Sequence, residues 1–385
     1  MHDVIVVGAG PAGLYAALLL AEEGRDVLVL EEHDEIGVPT HCTGVVSSEA
    51  YDLYKIPEHV VLHRPASCFM LSPGGAVCEF RSPREQIAVL DRAGLDRALA
   101  ASAEEAGAAL RTGCRVADVR VGPAWAEVQA GDGSVFRARA VVLASGVTYR
   151  FHRALGFGLP SAILHTAQVE VDARPGAALE IYVGRQVAPE GFAWLAPVTR
   201  NEQPRLKAGL LLRGDAWSHL SSFLARPSIA ARLLAVPEEP VRRLLPLGPT
   251  RRSHGDRVLA VGDAAGLTKP VTGGGIFYSL LSAAYGAEAL IGALDADDLS
   301  AARLSRYERR WRQRLAPEIR TGSWFRHLLT NLSDREFDTF VAALAADDVQ
   351  AVIRQTARFN WHRAVILALL RQPGIKSLLL RSLFR

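Results

Sequence analysis

The chain is poor in cysteine, with four in 385 residues. None of Cys42, Cys68, Cys78 and Cys114 stands in a C-x-x-C spacing. That disfavours zinc and iron–sulfur centres, so no metal is expected, and it fits a reducing cytoplasm. Long hydrophobic runs are also missing: stretches such as Leu14–Ala21 are too short to span a bilayer. The chain opens on a strand with no basic region ahead of an apolar one, so no signal peptide is expected. There are no internal repeats and no low-complexity linker. Lysine is scarce, and the first 200 residues hold only Lys55. The remaining composition, 49% hydrophobic and 22% charged, is that of a soluble globular enzyme. Net charge is only +3, but residues 301–385 carry 16 Lys and Arg against 7 Asp and Glu. Such a tail suits a solvated helical face or an anionic membrane surface; no nucleic-acid partner is expected.

Glycine, by contrast, is abundant and placed with purpose. Val4–Val7 reads as a buried strand, followed by Gly8-Ala-Gly10-Pro11-Ala12-Gly13 and an apolar helix. Gly8 permits a tight turn, Gly10 the close approach of a pyrophosphate, and Gly13 close helix–strand packing. The helix N-terminus favours the phosphate charge. A second strand, Asp26–Leu30, ends at Glu31, 18 residues past Gly13, where a carboxylate meets a ribose hydroxyl pair. Far downstream, Val258–Val261 reads as another buried strand, followed by Gly262-Asp263, a loop, Gly273, Gly274, Gly275 and a helix from Ile276. The Asp263 carboxylate can accept from ribityl hydroxyls, the three glycines leave room for a flat ring, and the helix end favours an anionic reduced flavin. Two such sites in one chain point to a single FAD in an extended pose. The rival reading of Asp263 is a helix N-cap. Arg92 reaches the pyrophosphate or flavin side, or else forms a surface salt bridge.

The expected fold is mixed α/β: a Rossmann-type FAD-binding domain interleaved with an antiparallel-sheet substrate domain, plus C-terminal helices. The cofactor domain is expected at 1–50, 84–150 and 250–300, the sheet domain at 51–83 and 151–249, and helices at 301–385. Residues 33–48 carry too many breakers for regular structure. Hairpins are expected at 68–80 and 126–139, strands at 166–171, 179–183, 192–197 and 206–212, and a helix at about 216–235.

Asp91–Ala100, Leu143-Ala144-Ser145-Gly146 and Gly262–Ile276 together resemble the geranylgeranyl reductase family, flavoproteins built like p-hydroxybenzoate hydroxylase. The resemblance covers residues 1–300. It implies FAD held by Gly8, Gly10, Pro11, Ala12, Gly13, Glu31, Glu32, Cys42, Thr43, Gly44, Arg92, Val116, Ala144, Ser145, Gly146, Gly262, Asp263, Gly273, Gly274, Gly275 and Ile276. The family's P-x-x-Y-x-W-x-F-P pattern is met by Pro189, Trp194 and Pro197, with Phe192 for Tyr and Ala196 for Phe. Phe192, Trp194 and Pro197 are therefore the expected substrate-binding residues, lining a long apolar pocket; ordinary sheet core is the rival reading. Cys42, with His41 a weaker candidate, stands where such reductases place a thiol beside the flavin. Cys42 and Trp194 are the catalytic candidates, the first as proton donor or loop gate, the second as a π face that eases developing positive charge.

The implied activity is saturation of isolated C=C bonds in a polyprenyl lipid or prenyl diphosphate, by hydride from reduced flavin plus a proton. Ferredoxin or NAD(P)H is the implied electron donor. A flavin monooxygenase or halogenase of the same fold is the alternative, but the lysine those halogenases need has no counterpart in the first 200 residues. An electron carrier to quinone would be expected to bring an iron–sulfur cluster. Trp361–Arg385 interleaves apolar and basic residues, so a cytoplasmic enzyme in peripheral contact with a membrane is expected, with packing on the catalytic body as the rival.

Overall fold

A computed structural model describes residues 1–40, 42–81, 86–237 and 239–382. At its centre runs the strand His2–Val7, whose last four residues are buried. It pairs in parallel with Val27–Leu30 on one side and Val135–Leu143 on the other. Val258–Ala260 adds in parallel beyond Val135–Leu143, and Ala109–Arg111 beyond Val27–Leu30. These short runs are apolar on both faces, which suits a parallel sheet covered by helices. The helices Pro11–Glu22, Arg92–Glu105 and Ile276–Asp295 pack together on it. The hairpin strands Val116–Val121 and Ala126–Ala130 extend this eight-stranded sheet.

A second, seven-stranded sheet runs in the order 241–247, 162–172, 203–212, 192–200, 179–183, 68–71, 77–80. It is antiparallel except where Leu179–Val183 pairs with Cys68–Leu71. Strand alternation gives it two different faces. Leu195, Leu206, Ala208 and Leu210 pack with Leu220 and Phe223 of the helix Ala216–Leu224. Phe192, Trp194, Leu211 and Leu245 cluster on the other face.

Two expectations need revision. Within 33–48, Val45–Ser47 is a strand, paired with Ile87–Leu90, which also pairs with Val61–His63. A three-residue strand shows no periodicity, so only its partner makes it visible. The helix expected over 216–235 stops at Leu224; a separate turn, Pro227–Ala230, follows. Pro227 pushes Arg226 out of the helical region, to ψ 132°.

The C-terminal part begins with the helix Ala301–Thr330. Four shorter helices then bury Phe337, Phe340, Ile366, Leu369 and Leu379 together with Cys78 and Val183 of the second sheet. Among the described residues one helix, Ile276–Asp295, is long and apolar enough to cross a membrane, yet it is largely buried in the core beside Pro11–Glu22.

Candidate active site

The glycine loop lies between the first strand and its helix. Gly8 has φ +104°, and a Cβ there would lie 2.5 Å from the Ala144 carbonyl oxygen. A Cβ on Gly13 would lie 2.0 Å from the Gly8 oxygen. Gly10 differs: beyond its own chain neighbours, no atom of the described residues stands within 4 Å of where its Cβ would be. It caps the helix without a side-chain bond, and Pro11 opens the first turn. Space and free N–H groups therefore meet at Gly10, as a bound pyrophosphate requires.

Glu31 sits at the end of its strand. Its Oε2 accepts from the Ala9 N–H at 2.7 Å and its Oε1 from the His33 N–H at 3.1 Å. Glu32 turns outward to pair with Arg115 at 3.6 Å. Ala144, Ser145 and Gly146 follow the neighbouring strand at the same edge, with the Ala144 N–H on the Val7 oxygen. Val116 is buried at the start of the outlying hairpin, its carbonyl accepting from Arg150.

Arg92 is not a surface residue. It is 8% exposed and donates to both oxygens of Asp96, one turn on, at 3.1 Å. Burial works against its charge, but Asp96 and Cys42 raise its pKa above the usual guanidinium value. Burial raises the Asp96 pKa in turn, against the pull of Arg92. The Arg92 Nε is buried with no partner among the described residues. A buried donor left unpaired is costly unless something else accepts from it.

Asp263 stands across from Arg92, which pulls its pKa down; burial outweighs this and pushes it up to about 6. Its carboxylate accepts no hydrogen bond from the described residues, while its backbone oxygen accepts from the Tyr149 hydroxyl at 2.7 Å. His152 bonds the next carbonyl, Ala264, at 2.6 Å, so two side chains hold this turn. Gly262 takes φ +58°, its N–H on the Ser282 hydroxyl. The three following glycines face protein atoms: a Cβ on Gly273 would meet Leu245 and Leu211, one on Gly274 Lys269, and one on Gly275 the Asp263 carboxylate. Ile276 then opens a helix with no side-chain cap, so its first N–H groups are free for a ligand.

Three features thus fit FAD: the open space at Gly10, the orphaned Arg92 Nε, and an uncapped helix end beside an unbonded Asp263 carboxylate.

The loop carrying Cys42, Thr43 and Gly44 closes one side. Cys42 is partly buried and interacts with Arg92 and Lys207. The Thr43 hydroxyl donates to Gln168 Oε1 at 2.6 Å. Gly44 has φ +84°, and a Cβ there would lie 2.6 Å from the Leu90 oxygen. His41 lies outside the described residues.

On the second sheet, Phe192 and Trp194 share a face, with ring centroids 5.9 Å apart. Trp194 is paired across from Gly209, where a Cβ would lie 2.5 Å from the indole. The indole N–H is buried without a partner among the described residues. Leu164, Leu211, Leu245 and Leu247 complete an apolar wall. Pro197 has the opposite strand parity, and its ring packs near Gly176, so the structure does not bring it to this wall.

Sequence reasoning missed two lysines. The chain has only four, and Lys207 and Lys269 are both buried. Lys207 interrupts the apolar run 206–212, a signal that was available. Lys269 donates to the Phe359 oxygen and to Asn360 Oδ1, both at 3.1 Å. Asn360 in turn donates to Ser47 and Glu49, and so ties the C-terminal segment to the site. Lys269, Phe359 and Asn360, with Val45, Val46, Gly274, Ile276 and Phe277, line a cavity of about 10 Å³, no larger than one water.

The chain is similar to several known proteins. A family model for an NAD(P)-binding Rossmann-like domain matches residues 6–80, and one for flavin-containing amine oxidoreductases matches 66–148. Digeranylgeranylglycerophospholipid reductase 2 of Methanopyrus kandleri is 32% identical, over 91% of this chain and 92% of its own. The reductase of the same name from Methanothermobacter thermautotrophicus is 31% identical, over 91% and 94%. Among solved structures, a geranylgeranyl bacteriochlorophyll reductase-like protein from Thermoplasma acidophilum superposes with a TM-score of 0.86, covering 98% of both chains at 22% identity. The halogenase PltM in complex with phloroglucinol and FAD superposes at 0.71, covering 100% of this chain and 93% of its own at 15% identity.

Proposed function

The chain belongs to the family of the digeranylgeranylglycerophospholipid reductases, and from that premise we propose that it saturates the isolated double bonds of a geranylgeranyl-type lipid chain. It is an FAD-dependent oxidoreductase. Bound and reduced, FAD would supply the hydride. Gly8, Gly10 and Gly13, the helix from Pro11, and Glu31 would hold its adenine end; Arg92, Asp263 and the N–H groups at Ile276 its flavin end. In the same proposal residues 1–50, 84–150 and 250–300 form the cofactor unit, and 51–83 and 151–249 the substrate unit.

One observation carries the substrate reading. The apolar wall abuts the flavin-side loop, since the atoms a Cβ on Gly273 would strike belong to Leu245 and Leu211. An alkene chain lying along Phe192, Trp194, Leu211 and Leu245 would reach the flavin end without leaving apolar surroundings. Those walls exclude water from a carbon that gains positive charge, and the Trp194 face lies beside it. The Cys42 thiol, partly buried between Arg92 and Lys207, is the proposed proton source.

The halogenase alternative has the fold in its favour, but the one lysine of the substrate sheet, Lys207, gives its amine to two backbone carbonyls. Ferredoxin or NAD(P)H is the proposed electron donor. Peripheral membrane contact is proposed for the last helices, which expose Leu367, Arg371, Lys376, Leu380 and Arg381; co-sedimentation with anionic but not neutral vesicles tests it. For the activity, reduced enzyme is incubated anaerobically with a digeranylgeranyl phospholipid. A gain of two mass units per double bond is expected, and an unchanged lipid mass alongside oxygen-dependent products would refute the reading.

A further inference from the structure

We propose that Lys207 is a positioning residue, which locks the Cys42–Gly44 loop to the turn ahead of Arg92 and so fixes both sides of the flavin end. The assignment rests on reading those two segments as the flavin side, and not on which lipid is reduced. Lys207 lies in the strand Gln203–Leu212 of the second sheet and is fully buried. Its Nζ donates to the Thr43 oxygen at 2.9 Å and to the Leu90 oxygen at 3.0 Å. The first acceptor follows Cys42 directly, and the second stands two residues before Arg92. The two segments also meet each other, the Leu90 N–H on the Gly44 oxygen at 2.9 Å. Thr43 adds a second tie to the sheet through Gln168. One ammonium thus joins three segments that are otherwise far apart in the chain.

An ammonium buried on two neutral carbonyls is expensive where structure alone is at stake; an apolar side chain would fill the space at less cost. Burial lowers its pKa to about 8, with Glu170 opposing, Arg200 reinforcing, and Cys42 and Asp91 opposing. Among the described residues these charged and titratable groups act on it most strongly, from the adjoining strands, the Cys42 loop and the turn. Its charge-assisted bonds therefore weaken within an accessible pH range.

The test uses the FAD-loaded protein and reads no lipid chemistry, so it stands apart from the fate of the reductase reading. FAD release is followed by flavin fluorescence between pH 7 and 9, and Cys42 alkylation by iodoacetamide is mapped by mass spectrometry. In the native protein, FAD release should accelerate as pH rises through about 8. Lys207→Met should release FAD at least tenfold faster at pH 7, lose that pH dependence, and have Cys42 alkylated at least fivefold faster. Lys207→Gln keeps two N–H donors without charge. It should show faster, pH-independent release, and it decides the matter should the methionine variant not fold. Native rates of release and alkylation in either folded variant, or a native pH profile in both, would overturn the proposal.

Discussion

Single residues carry the sharpest tests. Gly10 and Gly13 look alike in sequence and differ in surroundings. Gly13→Ala drives its Cβ into the Gly8 carbonyl and should destabilise the protein with or without cofactor. Gly10→Ala meets no atom of the described residues beyond its chain neighbours, so it should fold normally yet bind FAD at least tenfold more weakly; thermal melts and FAD titration separate the two. Arg92→Met should cost about 3–5 kcal/mol, because Asp96 is left buried without its partner. Adding Asp96→Leu should return much of the stability but none of the FAD affinity. Asp263 supplies a pH test. Its folded pKa of about 6 lies above the unfolded value, so the cofactor-free protein binds more protons folded than unfolded between about pH 4 and 6. Its stability therefore falls as pH rises through that window, by up to roughly 3 kcal/mol. Asp263→Asn should flatten the fall, read as the difference in melting temperature between variant and native protein at pH 5 and pH 7. Gly8 and Gly13 were legible because close backbone approach restricts the residue type. Lys207 was marked by its place inside an apolar run, but its role was not, because its partners lie 164 and 117 residues away; Lys269 carried no such mark, and its partner Phe359 lies 90 residues away.

Among elements, strand alternation was the reliable guide. It puts Phe192 and Trp194 on one face and Pro197 on the other, although the motif groups all three. The strand Val45–Ser47 escaped because three residues show no period, and the helix expected over 216–235 failed at the Arg226–Pro227 step. The long helix Ala301–Thr330 is held to the first sheet by a seam that no motif marks. Glu308 accepts from the Ser253 N–H at 2.8 Å and bonds His254 Nδ1 at 2.9 Å, and Arg312 joins it at 2.7 Å. Burial would raise the Glu308 pKa, but these partners hold it at about 2. The folded pKa is below the unfolded one, so this stability is present above about pH 4.5 and lost as pH falls towards 2. The melting-temperature gap between native protein and Glu308→Gln should be several degrees at pH 6 and close to zero at pH 2.5. A constant gap would mean the seam is not held by charge.

At the scale of the whole molecule, the cofactor elements come from both ends of a 300-residue stretch, and the C-terminal segment closes over them. The interleaving was legible because each Gly-rich turn follows its own buried strand. The closure was not: basic and apolar residues beyond 360 read equally as membrane contact or as packing, and Asn360 has no sequence signature. Asn360 serves Lys269, Ser47 and Glu49 at once. Asn360→Ala should cost about 1–3 kcal/mol by leaving buried groups unpaired, and should weaken FAD binding although residue 360 lies outside every glycine motif. If the reductase reading holds, this site passes hydride to an alkene and not to oxygen. The direct measurement is anaerobic: the protein-bound FAD is bleached with one equivalent of dithionite, a digeranylgeranyl phospholipid is added, and the flavin absorbance is followed. Return of the oxidised spectrum without oxygen, with the lipid two mass units heavier per flavin turned over, is the predicted result. A flavin that stays bleached until oxygen is admitted, and then passes through an oxygen adduct, would contradict the account.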